Sequence, residues 1–279
     1  MAKKRQKKRS IFFIVLKFIF YTIIYQGVKY VVLGIWTLLK WIFRAGKKAG
    51  SAAQKRVLKK EAFHKPTHEE LIVKEAVDGD FSSFEKKLAT HESLIGIILG
   101  ARGTGKTAIA LRLLENINAK TRRKCFAIGF NEEDMPGWVK VVEQPEDVQN
   151  GGFVLVDEGG VLFSSRSSMA EPNKLLSKLM LIARHKDISI LFISQNSSNL
   201  DVNILRQADY LILKPSSLLQ ERFERKIIGD IYDDVKGRFK DFKGDKGITY
   251  VYSDEFRGFV SNTLPSFWQT KISKSFSKK

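Results

Sequence analysis

Eight consecutive residues carry the strongest chemical signal in the chain: Gly100, Ala101, Arg102, Gly103, Thr104, Gly105, Lys106 and Thr107. They fit G-x-x-x-x-G-K-[ST], a loop whose backbone N–H groups cradle phosphates. Glycines at 100, 103 and 105 permit unusual backbone angles and let the backbone approach a ligand closely. Successive N–H groups and the start of the following helix then face the phosphates. Lys106 reaches the β- and γ-phosphates, and the Thr107 hydroxyl binds Mg²⁺. The cofactors this implies are ATP and Mg²⁺.

Asp157 and Glu158 are the second feature. An adjacent Asp-Glu pair is a common surface sequence, but this one closes the apolar run Phe153-Val-Leu-Val156. There Asp157 can hold the Mg²⁺ shell, and Glu158 can orient or deprotonate an attacking water. Gln195 ends another apolar run, Ile188 to Ser194. Ligands gather at the carboxyl ends of parallel strands, so Gln195 is placed beside the γ-phosphate, to position water or report hydrolysis. The plain alternative is an exposed loop glutamine. Arg184 and Arg206 are the candidates for an arginine finger acting on a neighbouring subunit, with a surface ion pair as the alternative for each.

These residues need a scaffold that brings strand ends together. Leu94 to Leu99 reads as a buried strand entering the loop, and Ala108 to Leu114 as a helix leaving it. Lys124 to Gly129, Phe153 to Val156, Ile188 to Ser194 and Tyr210 to Leu213 read as further strands, with helical apolar spacing over Lys174 to Ile182. Alternating strands and helices predict an α/β fold with a mainly parallel sheet. In sequence, one strand lies between the loop and Asp157-Glu158. That arrangement resembles the additional-strand, catalytic-glutamate branch of P-loop NTPases. Glu61 to Thr90 is expected to be helical in pieces, and Asn131 to Gln149 a polar connection. Leu218 to Tyr232 reads as a charged helix, and Ile248 to Val260 as a hairpin.

The formal charge of the 279 residues is +18, but it is unevenly placed. Residues 1–60 hold 16 of the 48 Lys and Arg and no acid, which leaves 32 basic residues against 30 acidic ones beyond them. A basic excess confined to one end points to a membrane surface more than to a DNA-binding face. Ile11 to Phe43 is apolar and aromatic, interrupted by Lys17, Lys29 and Lys40. It exceeds the roughly 20 residues that cross a bilayer and lacks a cleavage site, so it predicts an uncleaved N-terminal transmembrane helix. Lys29 near the bilayer centre fits either a span facing a partner helix or a re-entrant hairpin turning near Gly27. The ATP requirement places the residues after Phe43 in the cytoplasm. The predicted organisation is a basic N-terminus and anchor over 1–43, a basic juxtamembrane linker over 44–60, an ATPase core over 61–215, and a C-terminal helix, hairpin and tail over 216–279. The single cysteine, Cys125, reads as core, and the four histidines form no convincing metal-ligand group.

Val154-Leu-Val-Asp157-Glu158, Ala183-Arg-His185, Ile188 to Gln195 and Leu205-Arg-Gln-Ala-Asp-Tyr210 together resemble the HerA/FtsK superfamily of P-loop ATPases. Within it, the chain is similar to zonula-occludens-toxin-like phage morphogenesis proteins and to viral genome-packaging ATPases. The resemblance spans about Leu94 to Pro215. It implies a homo-oligomeric ring, a hexamer, that moves DNA or filaments through a pore, with a neighbour's arginine completing each site. The function expected is a membrane-anchored motor moving DNA for packaging, export or virion assembly. A membrane ATPase that assembles or secretes protein is the alternative. A nucleoside kinase is disfavoured, because no arginine-rich lid follows the loop helix.

Overall fold

The computed structural model describes residues 20, 21, 29, 33, 35, 36 and 40, then 64–90, 93–164, 172–245 and 247–272. The chain forms two compact units, Met1–Lys59 and Lys60–Lys279. In the first, the described residues are helical and exposed, and the Lys40 ammonium sits 3.4 Å from the centre of the Trp36 ring one turn away. Among the described residues no helix is long and apolar enough to cross a membrane. The anchor expected over 1–43 lies outside the described residues apart from those few positions.

The second unit is built on a nine-stranded sheet. Its strands are β1 (Ile72–Gly79), β2 (Ile95–Leu99), β3 (Cys125–Ile128), β4 (Val139–Val141), β5 (Phe153–Asp157), β6 (Ser189–Ile193), β7 (Tyr210–Leu213), β8 (Ile248–Ser253) and β9 (Phe256–Ser261). They lie in the order β1-β9-β8-β7-β2-β6-β5-β3-β4. From β7 to β4 every pairing is parallel, and β7, β8, β9 and β1 pair antiparallel. The C-terminal hairpin therefore extends the same sheet as the phosphate-loop strand. Apolar residues fill the parallel strands on both faces, as a sheet covered by helices on each side requires. Ile98, Leu155, Leu191 and Ile212 pack on one face with α1 (Phe81–Ala89) and α2 (Lys106–Thr121). Ile97, Leu99, Val154, Val156 and Phe192 pack on the other with α4 (Pro172–Lys186) and α7 (Lys226–Asp241). The shorter helices are α3 (Glu158–Ser164), α5 (Val202–Arg206) and α6 (Leu218–Phe223).

Four expectations need correction. Residues 72–79 form edge strand β1, not helix; it is exposed on both faces, so no period-two pattern marks it. Asn131 to Gln149 contains β4, whose three residues are too short to stand out in sequence. The charged helix does not run from 218 to 232: it breaks at Glu224, and α7 continues to Asp241 through Gly229 and Gly237. Finally, the strand that separates β2 from β5 in space is β6, while β3, the strand between them in sequence, lies beyond β5. The additional-strand arrangement is present, but through a different strand from the one that suggested it.

Candidate nucleotide-binding site

The parallel strands end along one edge, and a cleft of about 480 Å³ opens there. Arg102, Gly103, Gly105, Lys106, Thr107 and Ala108 line it from the loop and the first turn of α2. Asp157 and Glu158 enter from the junction of β5 and α3, and Ser194 and Gln195 from the end of β6. The fold thus gathers side chains from three strand ends, as a doubly covered parallel sheet does. Gly105 heads α2 with φ of 92°, a left-handed conformation in which a side chain is strained. This bend turns the chain from the loop into the helix, so that the first N–H groups of α2 face the cleft.

Lys106 is buried, and its ammonium donates to the carbonyls of Gly100 at 2.6 Å and Ala101 at 2.9 Å. Burial lowers its pKa to about 8, against the opposing pull of Asp157 and Glu158. It is a cation held in low dielectric by weak acceptors, ready to exchange them for an anion. Burial raises the Asp157 pKa, and the Gly159 and Gly160 N–H groups pull the other way. Asp157 Oδ1 accepts from Gly159 N at 3.0 Å. Glu158 is buried, and its Oε2 accepts from the Ser194 hydroxyl at 2.5 Å, which aims the carboxylate across the cleft. The turn that presents both acids is tight. A Cβ on Gly160 would stand 1.8 Å from the Gly129 carbonyl oxygen after β3, so only glycine lets α3 start here.

A Mg²⁺ ion fits the donor set. Thr107 offers a hydroxyl and Asp157 a half-buried carboxylate, hard oxygen donors in one cleft whose remaining ligands would be phosphates and water. Arg184 and Arg206 lie elsewhere. Both are exposed, in the last turn of α4 and at the end of α5, each just before a strand begins. About 16 Å of β6 separates the Arg184 edge of the sheet from the Gln195 edge. Neither lines the cleft of its own chain.

Three participants escape sequence reasoning. Ser194 reads in sequence only as strand, although a hydroxyl closing an apolar run beside Gln195 is the available signal. Lys214 follows β7, where its N–H donates to the Leu99 carbonyl at 2.8 Å beside the phosphate loop. Its ammonium is fully buried, donating to the carbonyls of Gly247 and Ile248 and to Asn262 Oδ1, and burial lowers its pKa to about 7. Trp268 reaches the cleft from beyond β9.

The segment that carries Trp268 is strapped to α2. Arg112 and Glu115, both buried, form an ion pair at 3.0 Å. Arg112 also donates to the Leu264 carbonyl, and Glu115 accepts from Ser266 N at 3.0 Å and from Thr67 N at 3.1 Å. Removing Glu115 leaves the buried Arg112 with only the more distant and partly exposed Glu69 carboxylate, at 3.5 Å. Glu115→Ala is therefore expected to destabilise the domain by about 3 kcal/mol, measured by denaturant unfolding.

No family model and no curated protein matches the chain. Several solved structures are similar to it at low identity. One is the DNA-packaging ATPase from Sulfolobus turreted icosahedral virus, at 13% identity and a TM-score of 0.42, covering 62% of this chain and 100% of that one. Another is the pCW3 conjugation coupling protein TcpA, at 10% identity and 0.42, covering 66% of this chain and 64% of that one. A third is the N-terminal domain of zonular occludens toxin from Neisseria meningitidis, at 15% identity and 0.35, covering 66% and 98%. Viral packaging ATPases and zonula occludens toxins, the kinds of protein named by the sequence resemblance, are thus among its structural neighbours.

Proposed function

We propose that the chain is a membrane-anchored, ATP-hydrolysing motor that works as a ring and moves DNA for packaging, export or virion assembly. The observation that carries the enzymatic part is the meeting of Lys106, Asp157 and Glu158 in one cleft, with Glu158 held by Ser194. The triphosphate lies along the loop, and Lys106 leaves the carbonyls of Gly100 and Ala101 for its terminal oxygens. Thr107 and Asp157 would hold Mg²⁺, which when bound would supply neutralising charge to the phosphates. Glu158 takes the proton of the attacking water. Gln195, exposed at the rim, meets the terminal phosphate.

Two features support assembly. The Gln195 carbonyl accepts from the Gln220 side chain on α6, so the rim of the cleft is tied to that helix. The outer face of α6 is apolar: Leu218 is 83% exposed, and Leu219 and Phe223 are 70% exposed each. A patch of this kind calls for a partner, and a neighbouring subunit on α6 would press on the Gln195 loop. An arginine in trans, Arg184 or Arg206, completes the charge stabilisation. The basic excess of residues 1–60 and the exposed Phe20, Tyr21, Ile35 and Trp36 support lipid contact.

The near balance of charge beyond residue 60 favours a second reading, with protein or filament as the substrate. Displacement of the third strand from a DNA triplex, by the full chain in lipid vesicles, separates the two. The motor proposal expects displacement that requires ATP. Hydrolysis without displacement contradicts the DNA assignment and favours the protein substrate.

A further inference from the structure

Trp268 is the only aromatic side chain lining the cleft among the described residues. It is also the only lining residue that comes from outside the loop, the β5–α3 junction and the β6 end. Its position is strongly determined. On one side Phe267 is 3% exposed and stacks edge-on against Trp138, with ring centres 5.5 Å apart. On the other, Ile272 is buried in the same core. Trp268 N donates to the Pro265 carbonyl at 2.9 Å, closing a turn. The Arg112 and Glu115 contacts to Leu264 and Ser266 then hold that turn against α2. Between two buried anchors, Trp268 itself is only partly buried.

The direction of the ligand comes from the loop. The β- and γ-phosphates belong with Lys106, Asp157 and Glu158. The remainder of a nucleotide must leave the loop away from that acidic end, past Thr107 and Ala108 at the start of α2. Ala108, a small side chain, lines the cleft there. Trp268 belongs to the strap held along this same helix.

We propose that Trp268 is the base platform of the cleft, stacking on the nucleobase of a purine nucleoside triphosphate. The inference rests on the nucleotide reading of the site and adds what that reading leaves open: how the end remote from the phosphates is recognised. An indole face binds any base by stacking, more strongly the larger its ring system, and reads no hydrogen-bond pattern. The cleft then selects purine over pyrimidine nucleotides and discriminates weakly between adenine and guanine.

The test compares ATP, CTP and inorganic triphosphate binding, with Mg²⁺, to the full chain in detergent by calorimetry, for wild type, Trp268→Phe and Trp268→Ala. Stacking predicts that Trp268→Ala weakens ATP between about five- and a hundredfold. It also predicts that this variant loses the preference for ATP over CTP, leaves triphosphate affinity unchanged, and is largely rescued by Trp268→Phe. Unchanged triphosphate binding shows that the phosphate loop of the variant is intact. Equal weakening of ATP and triphosphate overturns the inference and makes Trp268 a packing residue, as does an ATP affinity indifferent to the substitution. Both of those outcomes leave the phosphate site standing. A wild-type chain that binds neither ATP nor triphosphate contradicts the nucleotide reading itself, and this inference with it.

Discussion

Glu158→Gln is expected to leave ATP affinity intact and to lower turnover by about 10²- to 10⁴-fold, the range that a positioned general base contributes. The substitution keeps the shape of the side chain, and its amide oxygen can still accept from Ser194, 2.5 Å away in the wild type. What disappears is the ability to take a proton from water. In the proposed mechanism the phosphate contacts come from the loop and Lys106, so binding should not depend on that proton transfer. Ser194→Ala should reproduce a smaller part of the loss, because the hydroxyl orients Glu158 without itself taking the proton; it also accepts from Asn196 N at 3.3 Å in the turn after β6. Single-turnover hydrolysis alongside equilibrium binding of ATP measures both quantities. Undiminished hydrolysis by Glu158→Gln would remove this residue from the mechanism.

Lys106→Ala is expected to act on the other quantity, weakening ATP binding by about 3 kcal/mol, roughly a hundredfold in Kd. The lysine also sets a pH dependence. Its pKa in the free cleft is lowered to about 8 by burial. Phosphate oxygens need the ammonium form, so binding takes up a proton wherever the free lysine is neutral. Below about pH 7 the lysine is already charged and contributes no slope. Above about pH 8 the affinity of wild type should fall as pH rises, approaching tenfold per unit, and Lys106→Ala should abolish this part of the slope. A binding profile flat from pH 7 to 9.5 in wild type would contradict the role given to Lys106.

The sheet was legible because its parallel strands are buried on both faces. Phe153-Val-Leu-Val156 and Ile188 to Ile193 are nearly unbroken apolar runs, which few other environments produce. The loop over residues 100–107 was legible as the turn from β2 into α2 because its glycines fall at fixed spacing, and Gly100, Gly103 and Gly105 all take positive φ. Edge strand β1 was not, since its residues face solvent on both sides and carry no pattern. Order in space was not legible either: β6 inserts between β2 and β5 through a long crossover that adjacency in sequence does not reveal. The polar residues of α2 show the same limit. Arg112, Glu115 and Asn116 look like a solvated helix face in sequence. In the fold they are buried, gripping the backbone at Thr67, Glu69, Leu264 and Ser266. Those partners lie about 50 residues before and about 150 after them, so no local reading could supply them. Trp268 escaped for that reason.

The most direct test of the account is steady-state ATP turnover by the full chain, measured across protein concentration with and without duplex DNA. A cleft that needs a neighbour's arginine works slowly in isolation, and a DNA motor spends ATP when DNA is present. The account predicts specific activity that rises with protein concentration and rises again on adding DNA. Turnover by a demonstrated monomer that is independent of concentration and indifferent to DNA would contradict it.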